Sequence, residues 1–141
     1  MRTDGCFIDP FCGSGTLLIE AAALAMNMAP GLDRSFVAES WKDIDSKVFS
    51  SVRERARSFI RRNSGFVAKG YDIDPKAVDL SCENARRAGV EACIEVSTRD
   101  IRQFAEPGPF GCVVCNPPYG QRLLDQKEAA SIYQIMGRVF E

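Results

Sequence analysis

One tetrapeptide of the chain, Asn116-Pro117-Pro118-Tyr119, has residue types that suit chemistry on a planar amine. It follows an apolar run, residues 112–115, that predicts a short buried strand. The prolines remove two backbone donors and keep the segment extended, so its carbonyls are left unpaired. The Asn116 side-chain oxygen and the Pro117 carbonyl can accept hydrogen bonds from an amino group, and Tyr119 can stack on a flat ring. The pattern therefore predicts a site for a nucleobase with an exocyclic amine.

A second cluster, residues 9–16, follows the first predicted strand at residues 6–8. Gly13 and Gly15 allow the backbone to approach a ligand closely, and the helix that follows offers free N–H groups to an anion. A dinucleotide fingerprint would have a third small residue where Leu18 stands, and the loop lacks the Gly-Lys-Ser/Thr ending of a P-loop. These departures disfavour pyrophosphate and triphosphate, and they leave a small carboxylate as the predicted anion.

Acidic residues follow two further predicted strands. Asp72 is expected to accept hydrogen bonds from both hydroxyls of a ribose, whereas Asp74 is expected to cap the next helix. Ile73 could cover one face of an adenine. Asp100 could accept from the adenine amino group, and an N-cap or surface role is an equally good interpretation.

The predicted elements alternate between short apolar strands and helices, which indicates an α/β fold with a mostly parallel, doubly wound sheet. All the clusters above lie at carboxyl ends of strands, where open α/β sheets bind ligands. The predicted strands are residues 6–8, 66–71, 93–96 and 110–115, and the predicted helices are residues 17–28, 47–63, 75–88 and 128–141.

The second predicted helix is rich in arginine and amphipathic. Its apolar face is expected to be buried, and Trp41 is expected to anchor the irregular segment before it. The arginines could form a phosphate-binding patch, but a solvated helix face is the favoured interpretation. The residues of the apolar face are Val48, Val52, Ala56, Phe59 and Ile60.

Bulk properties narrow the function classes. A length of 141 residues suits one domain, and a net charge of -1 does not indicate a strongly basic nucleic-acid binder. No apolar run is long enough to predict a membrane span. The six cysteines fall mostly in strand-like runs, which favours a reducing, cytoplasmic setting. Cys112-x-x-Cys115 lacks partner ligands and the chain has no histidine, so no metal is expected.

The loop at residues 9–16, taken with Asn116 to Tyr119, resembles the amino-methyltransferases that use S-adenosylmethionine. The likeness is greatest to the branch that joins a THUMP RNA-binding domain to a Rossmann-like class I methyltransferase domain, and residues 27–36 and Trp41 resemble it too. The resemblance implies S-adenosylmethionine as cofactor and an RNA substrate, because members of that branch methylate guanine N2 in large-subunit ribosomal RNA.

The functional residues of that family carry over by position. Asp72 matches its ribose-binding acid, Asp100 its adenine-contacting acid, and Asp9, Gly13 and Gly15 its cofactor loop. Phe11, Thr16 and Ile73 complete the predicted cofactor-binding set. The family's catalytic motif matches Asn116, Pro117 and Tyr119.

The resemblance also implies that residues 1–141 are a partial methyltransferase domain, the first four strands of seven. The RNA-binding domain would precede residue 1, so RNA contacts are expected outside this chain, and the fourth strand is expected at an open edge. Three alternatives stay open: adenine-N6 methylation of DNA, glutamine methylation of protein, and a non-catalytic module that binds cofactor or partner. The sequence does not indicate an oligomeric state or whether this piece is active alone.

Overall fold

The computed structural model describes residues 6–105, 111–119 and 126–140. Its strands are β1 (Cys6–Asp9), β2 (Ala68–Asp72), β3 (Ile94–Thr98) and β4 (Gly111–Val113). Its α-helices are α1 (Thr16–Ala25), α2 (Ser46–Ser58), α3 (Pro75–Ala88) and α4 (Gln126–Val139). Short 3₁₀ turns occupy Val37–Ser40, Glu91–Cys93 and Ile101–Gln103. The predicted start of the fourth strand at 110 and the predicted end of the last helix at 141 lie outside the described residues.

The four strands form one parallel sheet in the order β3-β2-β1-β4. Phe7 of β1 pairs with Ala68 of β2 on one side and with Cys112 of β4 on the other. The predicted α/β fold with a parallel sheet is confirmed. Within the described residues, β4 pairs with one strand, β1, and all three of its residues are exposed, so the burial that its apolar run predicts is wrong and the edge position that the family resemblance implies is confirmed.

The core lies between one face of the sheet and the helices α1 and α3. Leu18 and Ala22 of α1 are fully buried, and they pack with Phe7 and Ala68 from the sheet. Helix α1 ends at Ala25, three residues earlier than predicted, because Asn27 takes a left-handed conformation with φ 53°. This packing brings the start of α1 close to the carboxyl ends of β1 and β2.

Helix α3 has both of the boundaries that its sequence predicts. Asp74 is its N-cap and accepts a hydrogen bond from the Lys76 N–H at 2.9 Å, and Pro75 occupies the first turn. Gly89 ends the helix with φ 70°. The predicted role of Asp74 as a cap is therefore confirmed, and α3 begins only three residues after β2 ends.

Helix α2 is less buried than its amphipathic pattern predicts. Val48, Val52 and Phe59 are 49%, 60% and 56% exposed, and Trp41 is 59% exposed. The expected burial is therefore wrong for three of the five residues of this face, and the expected anchoring by Trp41 is wrong in the described structure. Ala56 and Ile60 are half-buried, and Ile60 packs against the core.

Arginines, and not Trp41, hold the segment before α2. Arg53 forms an ion pair with Glu39 and donates to the Arg34 carbonyl at 2.6 Å. Arg57 pairs with Asp33 at 2.9 Å. These contacts give two of the α2 arginines a structural role, which agrees with the interpretation favoured from the sequence.

Candidate functional site

Backbone hydrogen bonds gather the strand ends at one edge of the sheet. The Cys12 N–H donates to the Tyr71 carbonyl at 2.9 Å, which ties the segment after β1 to β2. The Val114 N–H donates to the Ile8 carbonyl at 3.0 Å, which ties the segment after β4 to β1. The loop at 11–15 and residues 72–74 therefore lie beside each other, and the segment that leads into Asn116 runs alongside β1.

The loop between β1 and α1 contains a peptide unit, Gly13–Ser14, that makes no hydrogen bond within the described residues. The Gly13 N–H donates to Asp72 Oδ2 at 3.0 Å, and the Gly15 N–H donates to the Cys12 carbonyl at 2.8 Å. Within the described residues, the Ser14 N–H makes no hydrogen bond. No side chain caps the first turn of α1 either. The loop therefore presents donors to an anionic group, as its glycine pattern predicts.

Gly15 stands at a position that excludes any side chain. Its φ is 81°, in the left-handed region, and a Cβ there would lie 2.2 Å from Ser81 Oγ on α3. The backbone of the loop thus lies directly against α3. A larger residue would push the loop away from the helix and out of its position at the sheet edge.

Asp72 connects the two halves of the site. Its Oδ2 accepts from the Gly13 N–H, and its Oδ1 accepts from the Asp74 N–H at 2.9 Å. An ionised carboxylate has about four acceptor positions, so two remain for other donors. The structure thus places Asp72 beside the glycine loop with spare acceptor capacity, and its binding of ribose stays a prediction.

Asp9, the last residue of β1, is 2% exposed, and its Oδ1 accepts from the Phe11 N–H at 3.0 Å. Burial raises the pKa of Asp9 to about 6; the Phe11 N–H opposes the shift, and the charge of Asp72 adds to it. The two carboxylates therefore repel each other at the same sheet edge. A cationic ligand group placed there would relieve that repulsion.

Ile73 and Asp100 lie at the ends of β2 and β3. Ile73 is 69% exposed, which leaves its side chain available to cover a flat ligand. Asp100 caps the following 3₁₀ turn by accepting from the Arg102 N–H at 2.8 Å, as the alternative interpretation expected. Its contact with adenine stays a prediction, as does that of Ile73.

The Asn-Pro-Pro-Tyr segment leaves the sheet edge beside β1. Asn116 is exposed and Tyr119 is 64% exposed, whereas the prolines between them are half-buried. Among the described residues, the side chains of Asn116 and Tyr119 make no hydrogen bond. Burial, together with the charge of Asp9, raises the pKa of the Cys115 thiol. The polar atoms of the motif are therefore free for a second ligand next to the glycine loop.

Two residues of α3 that sequence reasoning missed contact the glycine loop. Ser81 is fully buried against Gly15, and Asn84 Nδ2 donates to the Ser14 carbonyl at 3.0 Å. They are three residues apart and so lie on one face of the helix. The sequence signal was a polar pair on the face of a helix that also carries the buried Ala85.

The cysteines offer no sign of thiolate or metal chemistry in the described ranges. Burial raises the pKa of Cys12 to about 12, and the charges of Asp72 and Asp9 add to the effect, so its thiol stays protonated. No group of three or more metal-binding side chains comes together in the described residues. None of the helices described in 6–105, 111–119 and 126–140 is both apolar enough and long enough to cross a bilayer.

Gly15→Ala should destabilise the fold more than a glycine substitution with the same backbone strain. Gly89 has φ 70° and open space around it, so Gly89→Ala is the matched control, expected to cost about 1–2 kcal/mol. Contact with Ser81 should add about 1–3 kcal/mol to the cost at Gly15. Urea unfolding of both variants measures the difference, and equal losses would contradict the close contact with α3.

Asp9→Asn should change the pH dependence of stability. The folded state holds the Asp9 proton to a pH of about 6 and the unfolded state to 3.8, so the free energy of unfolding falls as pH rises through that window. The variant lacks this loss. Its free energy of unfolding, relative to that of the parent, should therefore be about 1–3 kcal/mol higher at pH 7.5 than at pH 4. Denaturant unfolding at both values measures it, with the exposed Asp43→Asn as control. A pH-independent difference would contradict the shifted pKa of Asp9.

Comparison with known proteins identifies relatives along the whole chain. Residues 1–141 match the UPF0020 family, described as "RMKL-like, methyltransferase domain". "Putative RNA methyltransferase YpsC" of Bacillus subtilis is 38% identical over 98% of this chain. "Ribosomal RNA large subunit methyltransferase K/L" of Hahella chejuensis is 41% identical over 96% of it. The chain spans 36% and 20% of the lengths of these two relatives.

A solved structure has the same architecture. "SMU.472, a putative methyltransferase complexed with SAH" superposes with a TM-score of 0.92 at 36% identity, over 99% of this chain and 37% of that one. The family match and this superposition confirm the resemblance found in the sequence and the Rossmann-like fold. The glycine loop, Asp72 and the Asn-Pro-Pro-Tyr segment thus belong to a known type of domain: the chain is a member of the RMKL-like methyltransferase-domain family.

Proposed function

We propose that the protein transfers a methyl group from S-adenosylmethionine to an exocyclic amine of a nucleobase, guanine N2 in large-subunit ribosomal RNA. One observation carries the proposal. Asp72 holds the glycine loop through the Gly13 N–H, and the free acceptors of Asn116 and Pro117 leave the same sheet edge. A site for a nucleoside cofactor and a site for an amine are thereby adjacent.

The residues at the sheet edge fit S-adenosylmethionine. The free Ser14 N–H and the open first turn of α1 suit its carboxylate, and the spare acceptor positions of Asp72 suit its ribose hydroxyls. Asp9 and Asp72 supply negative potential for its ammonium and sulfonium groups. The cofactor expected from the sequence is confirmed by membership of a methyltransferase family and by the related structure that holds S-adenosylhomocysteine.

Asn116 and Pro117 are proposed to activate the amine. When bound, the cofactor supplies an electrophilic methyl group. The lone pair of a nucleobase amine is delocalised into the ring, so the amine is a weak nucleophile. Acceptors on both of its N–H bonds, the Asn116 side-chain oxygen and the Pro117 carbonyl, hold the nitrogen and stabilise the positive charge that develops on it.

Two further features of the proposed reaction are the stacking of the base and the release of the amine proton. Tyr119 exposes most of its ring and is proposed to stack on a base that has been turned out of its own stack. The proton of the methylated amine can leave to solvent after transfer, so the chain's lack of histidine is no obstacle.

The names of two curated relatives support RNA as the substrate. One relative is named for ribosomal RNA of the large subunit, and another is named as an RNA methyltransferase. The net charge of -1 makes this chain a weak polynucleotide binder by itself, so most RNA contacts are assigned to regions outside it. Digestion of methylated RNA and identification of the modified nucleoside tests the base: N2-methylguanosine supports the proposal, and N6-methyladenosine or methylated DNA contradicts it.

Asp72→Asn should weaken cofactor binding by about 10–100-fold, because a charge-assisted acceptor is lost and the new amide group faces a backbone N–H. Asp74→Asn is the matched control, because asparagine caps helices as well as aspartate does. Calorimetric titration with S-adenosylhomocysteine measures both. Equal affinities for the two variants would remove Asp72 from the cofactor site.

Asn116→Ala should lower kcat by about 10²–10³, the usual loss for one preorganised group that acts on the transition state. The affinity for S-adenosylhomocysteine should not change, because Asn116 is assigned to the amine. Single-turnover methylation of RNA measures the rate, and Asn63→Ala, at a distant exposed asparagine, is the control. An unchanged rate would exclude Asn116 from amine activation.

A further inference from the structure

One face of α3 is built against the glycine loop. Ser81 is fully buried, and it abuts Gly15. Asn84 lies one turn further on and donates from Nδ2 to the Ser14 carbonyl at 3.0 Å, across 70 residues of sequence. Ser81 is buried and Asn84 is half-buried, so this polar pair lies on the side of α3 that faces the loop.

In the glycine loop, two hydrogen-bonded peptide units flank one that makes no hydrogen bond, and the contact with Asn84 holds one of the two. The Cys12–Gly13 unit is held at both ends, since its carbonyl accepts from Gly15 and its N–H donates to Asp72. The Ser14–Gly15 unit is also held at both ends, since its carbonyl accepts from Asn84 and its N–H donates to Cys12. Between them, the Gly13–Ser14 unit makes no hydrogen bond in the described part of the chain. Two fixed units thus hold one free unit in a set orientation.

We infer that Asn84 is a positioning residue for the cofactor: it fixes the Ser14–Gly15 peptide so that the free Gly13–Ser14 peptide is oriented toward the ligand. The inference rests on the proposed function, because the ligand is the S-adenosylmethionine assigned there. Asp72 orients the loop from one side and Asn84 from the other. Since α3 starts three residues after Asp72, one helix fixes both halves of the cofactor site.

The chemistry of the contact requires an amide at this position. A carbonyl oxygen needs a donor, and a neutral amide supplies one without adding charge beside Asp72 and Asp9. Alanine removes the donor and leaves the Ser14 carbonyl to water. Aspartate keeps the size of the side chain but sets an acceptor against an acceptor. If Asn84 acts by donating a hydrogen bond, Asn84→Asp should weaken cofactor binding at least as much as Asn84→Ala does. If it acts only by packing, Asn84→Ala should be the more damaging substitution.

Titration of the purified protein with S-adenosylhomocysteine tests the inference. Asn84→Ala should raise the Kd about tenfold, and Asn84→Asp should raise it at least as much, while the melting temperature of the ligand-free protein changes little. Glu83→Gln is the matched control: it loses the exposed pair with Arg87 on the same helix and should keep the parent Kd. In the ligand-free variants, amide exchange at Gly15 should become faster than in the control.

The outcomes separate this inference from the proposed function. If the parent protein does not bind S-adenosylhomocysteine, the proposed function fails and the inference fails with it. If the parent binds and both Asn84 variants bind equally well, the inference alone is overturned. A lower melting temperature with unchanged Kd would also overturn it, because that result assigns Asn84 a structural role only. Asn84→Asp provides the test if Asn84→Ala does not fold.

Discussion

The site depends on the carboxylate of Asp72, which accepts the Gly13 N–H with one oxygen and the Asp74 N–H with the other. The first bond crosses from β2 to the loop after β1, and the second orients the start of α3. Charge-assisted bonds to backbone donors are among the stronger hydrogen bonds in proteins. The carboxylate of Asp72 therefore links the glycine loop, the second strand and the third helix, and the chemistry assigned to the sheet edge requires that arrangement.

This arrangement has an electrostatic cost. Asp9 is buried, and this burial is the main cause of its raised pKa, to which the charge of Asp72 adds. A ligand that carries a positive charge lowers the penalty, whereas a phosphate raises it. The edge thus selects against the anionic nucleotides that many Rossmann-like sheets bind. The glycine spacing in the sequence independently disfavours the same ligands, because the loop lacks the patterns that bind pyrophosphate and triphosphate.

Local patterns predicted the parts of the fold that depend on neighbours in sequence. Asp74 with Pro75 and the terminal Gly89 determine where α3 begins and ends, and the structure has those boundaries. The bridge from Asp72 to Gly13 and the contact from Asn84 to Ser14 span 59 and 70 residues, so no local pattern could reveal them. The apolar stripe of α2 was visible in the sequence, but periodicity does not say whether another element covers a face.

The carboxyl ends of β1 and β2 are proposed to form the cofactor site. The most direct test is titration of ¹⁵N-labelled protein with S-adenosylhomocysteine, followed by assigned amide resonances. The largest shifts are expected on Ser14, at the free peptide of the glycine loop, and on Ile73, beside Asp72. Saturable shifts confined to another surface, or no shifts at millimolar ligand, would contradict it.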